Sequence, residues 1–528
     1  MRRFLLGSVA TGFLALGLFA GPAGAVRPIC DEPAALCAEP LNSIGEYGSY
    51  TGHDEPSLLW YSDTPGSGNS NFYKVRLPTD PPTQPNQAGT AGTWNFQLHP
   101  TFWLGMALCD NQSAPEFTHA PCTPDSDTNI FNGTDPNGAD YIGKHPGTAF
   151  LEVQFYPPGW VAWPPGVSCD PTKWCAAMAI FSLNQDLNTG TVNNADCLSK
   201  VSLEPANFAF ITTSGVPHAP PGPLDQTLGT FTPNASTDLF MGSGDRLTVD
   251  IHDGAAGLTV TVNDVTTGQT GSMTASSANG FAQVNYEPTA TTCSETPYTF
   301  RPMYSTSSEN TRVPWAAHSY NTAFSDEIGH FEYCNHVTRE GGDCISNNEA
   351  ALDDDDTTCF SPAASTLIPI GGCLASDDDF DGPSYKADWP GTDPNPGQDK
   401  KLHPSPILFT SPLFNMSHNY SRVAFEADLP RIEAPDSGGI CNRFTGENCV
   451  NPPPGSEFYP IFTTGNDHHS CVWQFGGPNI PGTTQTFGGN SAAEYGPLLF
   501  SFYPTPDPAT RLRTNNFRNV LHVNPCPA

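Results

Sequence analysis

The chain is 528 residues long and carries 54 acidic against 21 basic side chains, a formal charge of −33. That imbalance repels nucleic acid and anionic lipid, so neither is expected as a partner, and it suits solubility or cation binding. The 49 glycines and 54 prolines, which follow no collagen period, favour many turns and short strands over long helices.

At the start of the chain, Arg2 and Arg3 precede an apolar run from Phe4 to Ala20, and Gly21-Pro22-Ala23-Gly24-Ala25 supplies small residues of the kind a signal peptidase reads. Residues 1–25 are expected to be an export signal cleaved after Ala25. The run falls short of the roughly 20 apolar residues that span a bilayer, and no later segment is apolar enough, so no membrane span is expected after cleavage. Export places the 16 cysteines in an oxidising compartment, where structural disulfides are expected. Close spacing suggests Cys30 with Cys37, Cys109 with Cys122, Cys169 with Cys175, Cys334 with Cys344, Cys359 with Cys373, and Cys441 with Cys449.

The proline-rich stretch from Pro78 to Gly89 reads as a loop, because proline cannot continue a helix or a central strand. Strands are expected within Trp94 to Leu108, over Thr148 to Phe155 and over Trp174 to Leu183. In the second, Ala149, Leu151, Val153 and Phe155 alternate with Phe150, Glu152 and Gln154, and Tyr156-Pro157-Pro158-Gly159 ends the run. Glu152 and Gln154 therefore share one face, and with Trp160 and Trp163 just beyond they form a candidate sugar-binding group, since aromatic faces stack on sugar rings. The competing reading has these tryptophans closing the end of a core.

From Arg246 to Val265, Leu247, Val249 and Ile251 are followed by Leu258, Val260 and Val262, a hairpin with its turn expected at Asp253-Gly254 and its threonines and aspartates facing outward. No amphipathic helix longer than three turns and no fixed repeat is visible. From Ile407 the β pattern resumes, with strands expected at Val472 to Phe475 and Leu498 to Tyr503.

Between these regions, Glu340 to Lys401 loses the alternation and gathers acidic residues. Asp377-x-Asp379-x-Asp381-Gly382, with Asp388 at the twelfth position, has the ligand spacing of a calcium loop: alternate oxygens converge on a hard cation, and Gly382 permits the sharp turn. It resembles the loop of EF-hand and related calcium-binding proteins, with Asp388 where a longer glutamate usually stands. That resemblance implies a calcium ion held by Asp377, Asp379, Asp381 and Asp388. Gly371, Gly372, Pro383 and Pro390 argue against flanking helices, so a static structural site is expected; the alternative is a solvated acidic loop without metal.

Asp326-Glu327-Ile328-Gly329-His330-Phe331-Glu332 places two carboxylates and an imidazole on a strand or bulge. A retaining glycosidase needs two carboxyl groups about 5 Å apart. The segment resembles the E-x-D-x-x-E signature of concanavalin-like glycoside hydrolases, with Gly329 in place of the central aspartate, which implies Glu327 as nucleophile and Glu332 as acid/base. An ordinary strand with exposed glutamates is the alternative, and His330, Glu332, His336 and His318 form a looser candidate metal set. Asp467-His468-His469 reads as a surface turn; the alternative is a metal or acid/base site, which at most one of two adjacent strand histidines would reach. There is no G-x-S-x-G elbow and no phosphate-binding P-loop. Asn111, Asn132, Asn234, Asn415 and Asn419 open N-x-S/T sequons, which matter only in a host with glycosylation machinery.

The expected fold is β-rich, an antiparallel β-sandwich of jelly-roll or concanavalin-like type with long disulfide-stapled loops. The expected organisation is a β-sandwich region over 26–339, an acidic calcium-loop insertion over 340–401 and a C-terminal β region over 402–528, either a domain of its own or the return half of the same sandwich. The expected function is that of a secreted protein acting on glycan through paired carboxylates, or else a non-enzymatic, calcium-stabilised extracellular binding or surface protein.

Overall fold

The computed structural model describes residues 57–62, 64, 66–77, 79, 102–112, 122–124, 148–156, 169–170, 172–186, 191–302, 311–316, 330–331, 407–428, 431–432, 462–475, 498–502, 513–521 and 523–528. The chain is β-rich and its two large sheets are antiparallel throughout. The larger sheet runs in the order Leu498–Phe502, Arg513–Leu521, Arg422–Asp428, Ser57–Ser62, Thr311–Ala316, Phe102–Cys109, Thr148–Tyr156, Trp174–Ser182, Ala206–Phe210. The smaller runs Gln269–Ala275, Gly257–Asp264, Arg246–Gly254, Ser70–Arg76, Leu408–Phe409, Ser470–Phe475, Phe462–Asp467. Strands from the two ends of the chain are neighbours in both sheets: Ser57–Ser62 pairs with Arg422–Asp428, and Ser70–Arg76 pairs with Leu408–Phe409.

Alternation explains how the two sheets share one core. Leu104, Leu151, Val153, Met178 and Ile180 of the larger sheet and Tyr73, Val75, Val249, Ile251, Val260 and Val262 of the smaller belong to a single buried cluster. Trp60 of the larger sheet and Trp473 of the smaller meet edge to face at 6.4 Å, one aromatic link across the layer. Burying a side chain of this kind contributes about 1.5–3 kcal/mol, so the tens of residues in this cluster are the main source of stability.

The hairpin lies where the pattern places it, with Leu247, Val249, Ile251, Leu258, Val260 and Val262 inward and Thr248, Asp250, Thr259 and Thr261 outward. Its turn differs from the expectation. Asp253 and Gly254 are still in the strand, Gly254 pairs with Gly257, and Ala255 and Ala256 make the connection. The shift has a steric cause: Gly257 has φ 129°, and a Cβ there would collide with the Ala275 carbonyl of the next strand, so the glycine is needed at the first paired position. Past Ile211, Thr212 exchanges hydrogen bonds with Ser272 at 3.2 and 2.8 Å, which ties the exit of the larger sheet's edge strand to the edge of the smaller.

The strands expected over Thr148 to Phe155, Trp174 to Leu183, Val472 to Phe475 and Leu498 to Tyr503 are present as Thr148–Tyr156, Trp174–Ser182, Ser470–Phe475 and Leu498–Phe502. The α-helix among the described residues is the two-turn Ala195–Val201, whose first turn is capped by Asn194 accepting from the Cys197 N–H. Cys109–Cys122 and Cys169–Cys175 form as their spacing suggested. Cys197–Cys293 and Cys471–Cys526 join residues 96 and 55 positions apart. The export signal, the other four expected disulfides and the acidic segment from Glu340 to Lys401 lie outside the described residues. Among the described residues no helix is long and apolar enough to cross a membrane.

Candidate functional site

Strand Thr148–Tyr156 has a core side and an outer side. Ala149, Leu151, Val153 and Phe155 join the shared core, which leaves Phe150, Glu152, Gln154 and Tyr156 on the opposite face. Three of these form a hydrogen-bonded relay along one strand. The Tyr156 hydroxyl donates to the Gln154 side-chain carbonyl at 2.5 Å, and the Gln154 amide nitrogen donates to the Glu152 carboxylate at 2.6 Å. The Glu152 charge sets the orientation of the amide, because turning it over would bring two oxygens together. Burial, reinforced by the Glu152 charge, raises the Tyr156 hydroxyl above its ordinary range, so it remains a donor across physiological pH.

Small residues open the sheet around the relay. Glu152 has Gly105 beside it on one neighbouring strand and Ala179 on the other; Gln154 lies between Trp103 and Ala177. The Trp103 ring folds over Gly105, where an added Cβ would come within 2.5 Å of it and 2.8 Å of Phe150. Trp103 and Phe150 pack edge to face at 4.9 Å and flank the relay on one side. On the other side, Tyr156 meets Phe208 at 6.2 Å and Phe210 at 6.3 Å. These two rings belong to a second apolar cluster with Ala177, Ala179 and Cys175. Gln154 and Tyr156 are buried and Glu152 is half-buried, so the carboxylate is the least buried member of the chain.

Behind Phe210 stands His218, stacked on that ring at 5.7 Å. Its Nδ1 lies 2.7 Å from Asp238 and its Nε2 3.0 Å from the Gly229 carbonyl, so both nitrogens are engaged and neither serves as a free base. The histidine braces the aromatic wall.

The structure thus brings together two of the residues expected to bind substrate, Glu152 and Gln154; Trp160 lies outside the described residues. So do the proposed catalytic Glu327 and Glu332 and the proposed calcium ligands Asp377, Asp379, Asp381 and Asp388. Among the described residues no group of three or more His, Cys, Asp or Glu is arranged to hold a metal ion. Asp467-His468-His469 is a hairpin tip: Asp467 pairs with Ser470, and His468 and His469 turn with φ of 47° and 73°. Tyr156 was within reach of the period-two rule as the next residue on the Glu152 face, but the following prolines mark it as a strand end. Trp103, Phe208 and Phe210 come from other strands, and no local signal places them there.

What the arrangement offers chemically is one oriented carboxylate, an amide fixed beside it and aromatic flanks. A carboxylate accepts paired hydrogen bonds from hydroxyl groups, while the flanking rings Trp103, Phe150, Phe208 and Phe210 are themselves buried and serve to hold the relay in place. Comparison with protein-family models, with curated proteins and with solved structures gives no match.

Proposed function

We propose that this is an exported glycan-binding protein that engages a neutral sugar through Glu152 on the outer face of its larger sheet. The observation that carries this reading is the Tyr156–Gln154–Glu152 relay, which holds a half-buried carboxylate in one orientation between aromatic rings. An unrestrained surface glutamate would lose side-chain entropy on binding a hydroxyl; here the relay has already removed it. The site as described has one carboxylate and one amide, which suits recognition better than the two-carboxylate chemistry of a retaining glycosidase.

The test is retention of the folded, mature protein on a panel of neutral glycans, with released reducing ends measured in the same samples. Retention without release, weakened about tenfold in Glu152→Gln by loss of a charged hydrogen bond, is the expected result. Release of reducing ends that disappears in Glu327→Gln and Glu332→Gln would assign hydrolysis to those two carboxylates instead. Absence of both retention and release would refute glycan recognition at Glu152.

A further inference from the structure

The outward face of the smaller sheet carries a second set of groups that the Glu152 site does not use. On Ser70–Arg76 the core takes Tyr73 and Val75, so Lys74 and Arg76 face outward; on Arg246–Gly254 the core takes Leu247, Val249 and Ile251, so Arg246 and Thr248 face outward. Register then sets Arg246 directly opposite Arg76, and Lys74 directly opposite Thr248. Three of the chain's 21 basic residues therefore meet at one end of one sheet face. Directly opposed like charges destabilise a strand pair.

One acid relieves part of that repulsion. Arg76 lies 3.5 Å from Asp467, and Asp250 is taken up by His252 at 3.1 Å. Lys74 and Arg246 are exposed, and among the described residues neither head group has an acidic partner, although the chain carries 54 acids. Beside the cations lies an ordered row of polar groups. Asn263 donates to the Thr248 hydroxyl at 3.1 Å and accepts from the Thr270 hydroxyl at 2.8 Å, and Thr259 and Thr274 are bonded at 3.0 Å four residues along. The row Lys74, Thr248, Asn263, Thr270 crosses four strands, roughly 14 Å at the usual spacing of about 4.8 Å.

We propose that this face binds an acidic polysaccharide, with its anionic groups on Lys74, Arg76 and Arg246 and its hydroxyls along the Thr248–Asn263–Thr270 row. The cations are complementary to carboxylate or sulfate, and arginine offers paired donors to either. The hydrogen-bonded row presents fixed donors and acceptors to a polyhydroxylated chain. The negative charge elsewhere is screened beyond about 8–10 Å at physiological salt, so a thin polymer can reach this face while an extended anionic surface, which must also meet the rest of the molecule, is repelled.

The experiment measures binding of the whole mature protein to immobilised polygalacturonate and dextran sulfate, with neutral dextran and anionic phospholipid vesicles as the other arms. The expected result is salt-sensitive retention on the acidic polysaccharides and none on dextran or vesicles. The double variant Lys74→Gln/Arg246→Gln should weaken that retention about tenfold while melting like the parent, and the charge-keeping Lys74→Arg/Arg246→Lys should restore it. Glu152→Gln should leave it unchanged, so this proposal and the neutral-glycan site fail or stand separately. Equal retention on dextran, stronger binding to vesicles, no retention on either acidic polymer, or full retention by the charge-removing double variant would each overturn it.

Discussion

At the scale of single residues, the relay depends on what is missing as much as on what is present. Gly105 leaves the space into which the Trp103 ring folds, beside Glu152. Gly105→Ala should displace Trp103 and Phe150 and destabilise the protein by about 1–3 kcal/mol, the usual result of overpacking a filled site, as read from a denaturant midpoint. An unchanged midpoint would show that the ring does not occupy that space. A second residue-scale expectation concerns Asp245 and Asp264, buried together at the end of the hairpin strands and sharing a hydrogen bond. Burial raises the Asp245 carboxyl above the ordinary carboxylate range, against the Gly242 N–H that favours its charge, and the neighbouring Asp264 raises it further. A carboxyl raised on folding contributes stability at pH below its unfolded value, and that contribution is lost as pH climbs through the folded value. Asp245→Asn keeps a donor toward Asp264 without the charge. It should therefore gain stability relative to the parent as pH rises from the ordinary carboxylate range through the raised Asp245 value, and parallel melting curves for the two proteins across that rise would contradict the raised Asp245 carboxyl.

At the scale of elements, the strands were legible because apolar and polar residues alternate: Leu247, Val249 and Ile251 against Leu258, Val260 and Val262 determine both the hairpin and the face it buries. The turn was misplaced by two residues because Asp-Gly is a strong local turn signal, while the collision that requires Gly257 comes from Ala275 on another strand. Disulfides divide in the same way. Cys109–Cys122 and Cys169–Cys175 follow from short spacing, whereas Cys197–Cys293 and Cys471–Cys526 depend on where distant segments meet. Closing a loop of the Cys197–Cys293 length restricts the unfolded chain by about 4–5 kcal/mol in the chain-entropy account. The double variant Cys197→Ser/Cys293→Ser should lose several kcal/mol by denaturant titration, and a loss below about 1 kcal/mol would mean that the helix and its polar surroundings hold without the bridge. For the acidic loop, the spacing of Asp377, Asp379, Asp381 and Asp388 leads to a calcium prediction. Adding calcium to chelator-treated protein should raise its melting temperature, with the rise abolished in Asp377→Asn/Asp379→Asn, and identical melting with and without calcium would exclude a stabilising site.

At the scale of the whole molecule, strands from both ends of the chain lie side by side in both sheets, so neither half can bury its apolar faces without the other. Pairings such as Ser57–Ser62 with Arg422–Asp428 span hundreds of residues, which makes the topology invisible to local pattern and folding slow relative to a local meander. The same non-locality explains how much of the site could be read in advance. Glu152 and Gln154 were paired by the period of one strand, but the aromatic flanks and small neighbours arrive from the strands on either side. Whether this assembled face recognises sugar is the central claim, and calorimetric titration of the best-retained neutral glycan into the parent protein and Glu152→Gln tests it most directly. The account predicts saturable binding by the parent, weakened about tenfold in the variant at unchanged melting temperature. Equal affinity in the two proteins, or no heat of binding from any neutral glycan with folded parent protein, would contradict it.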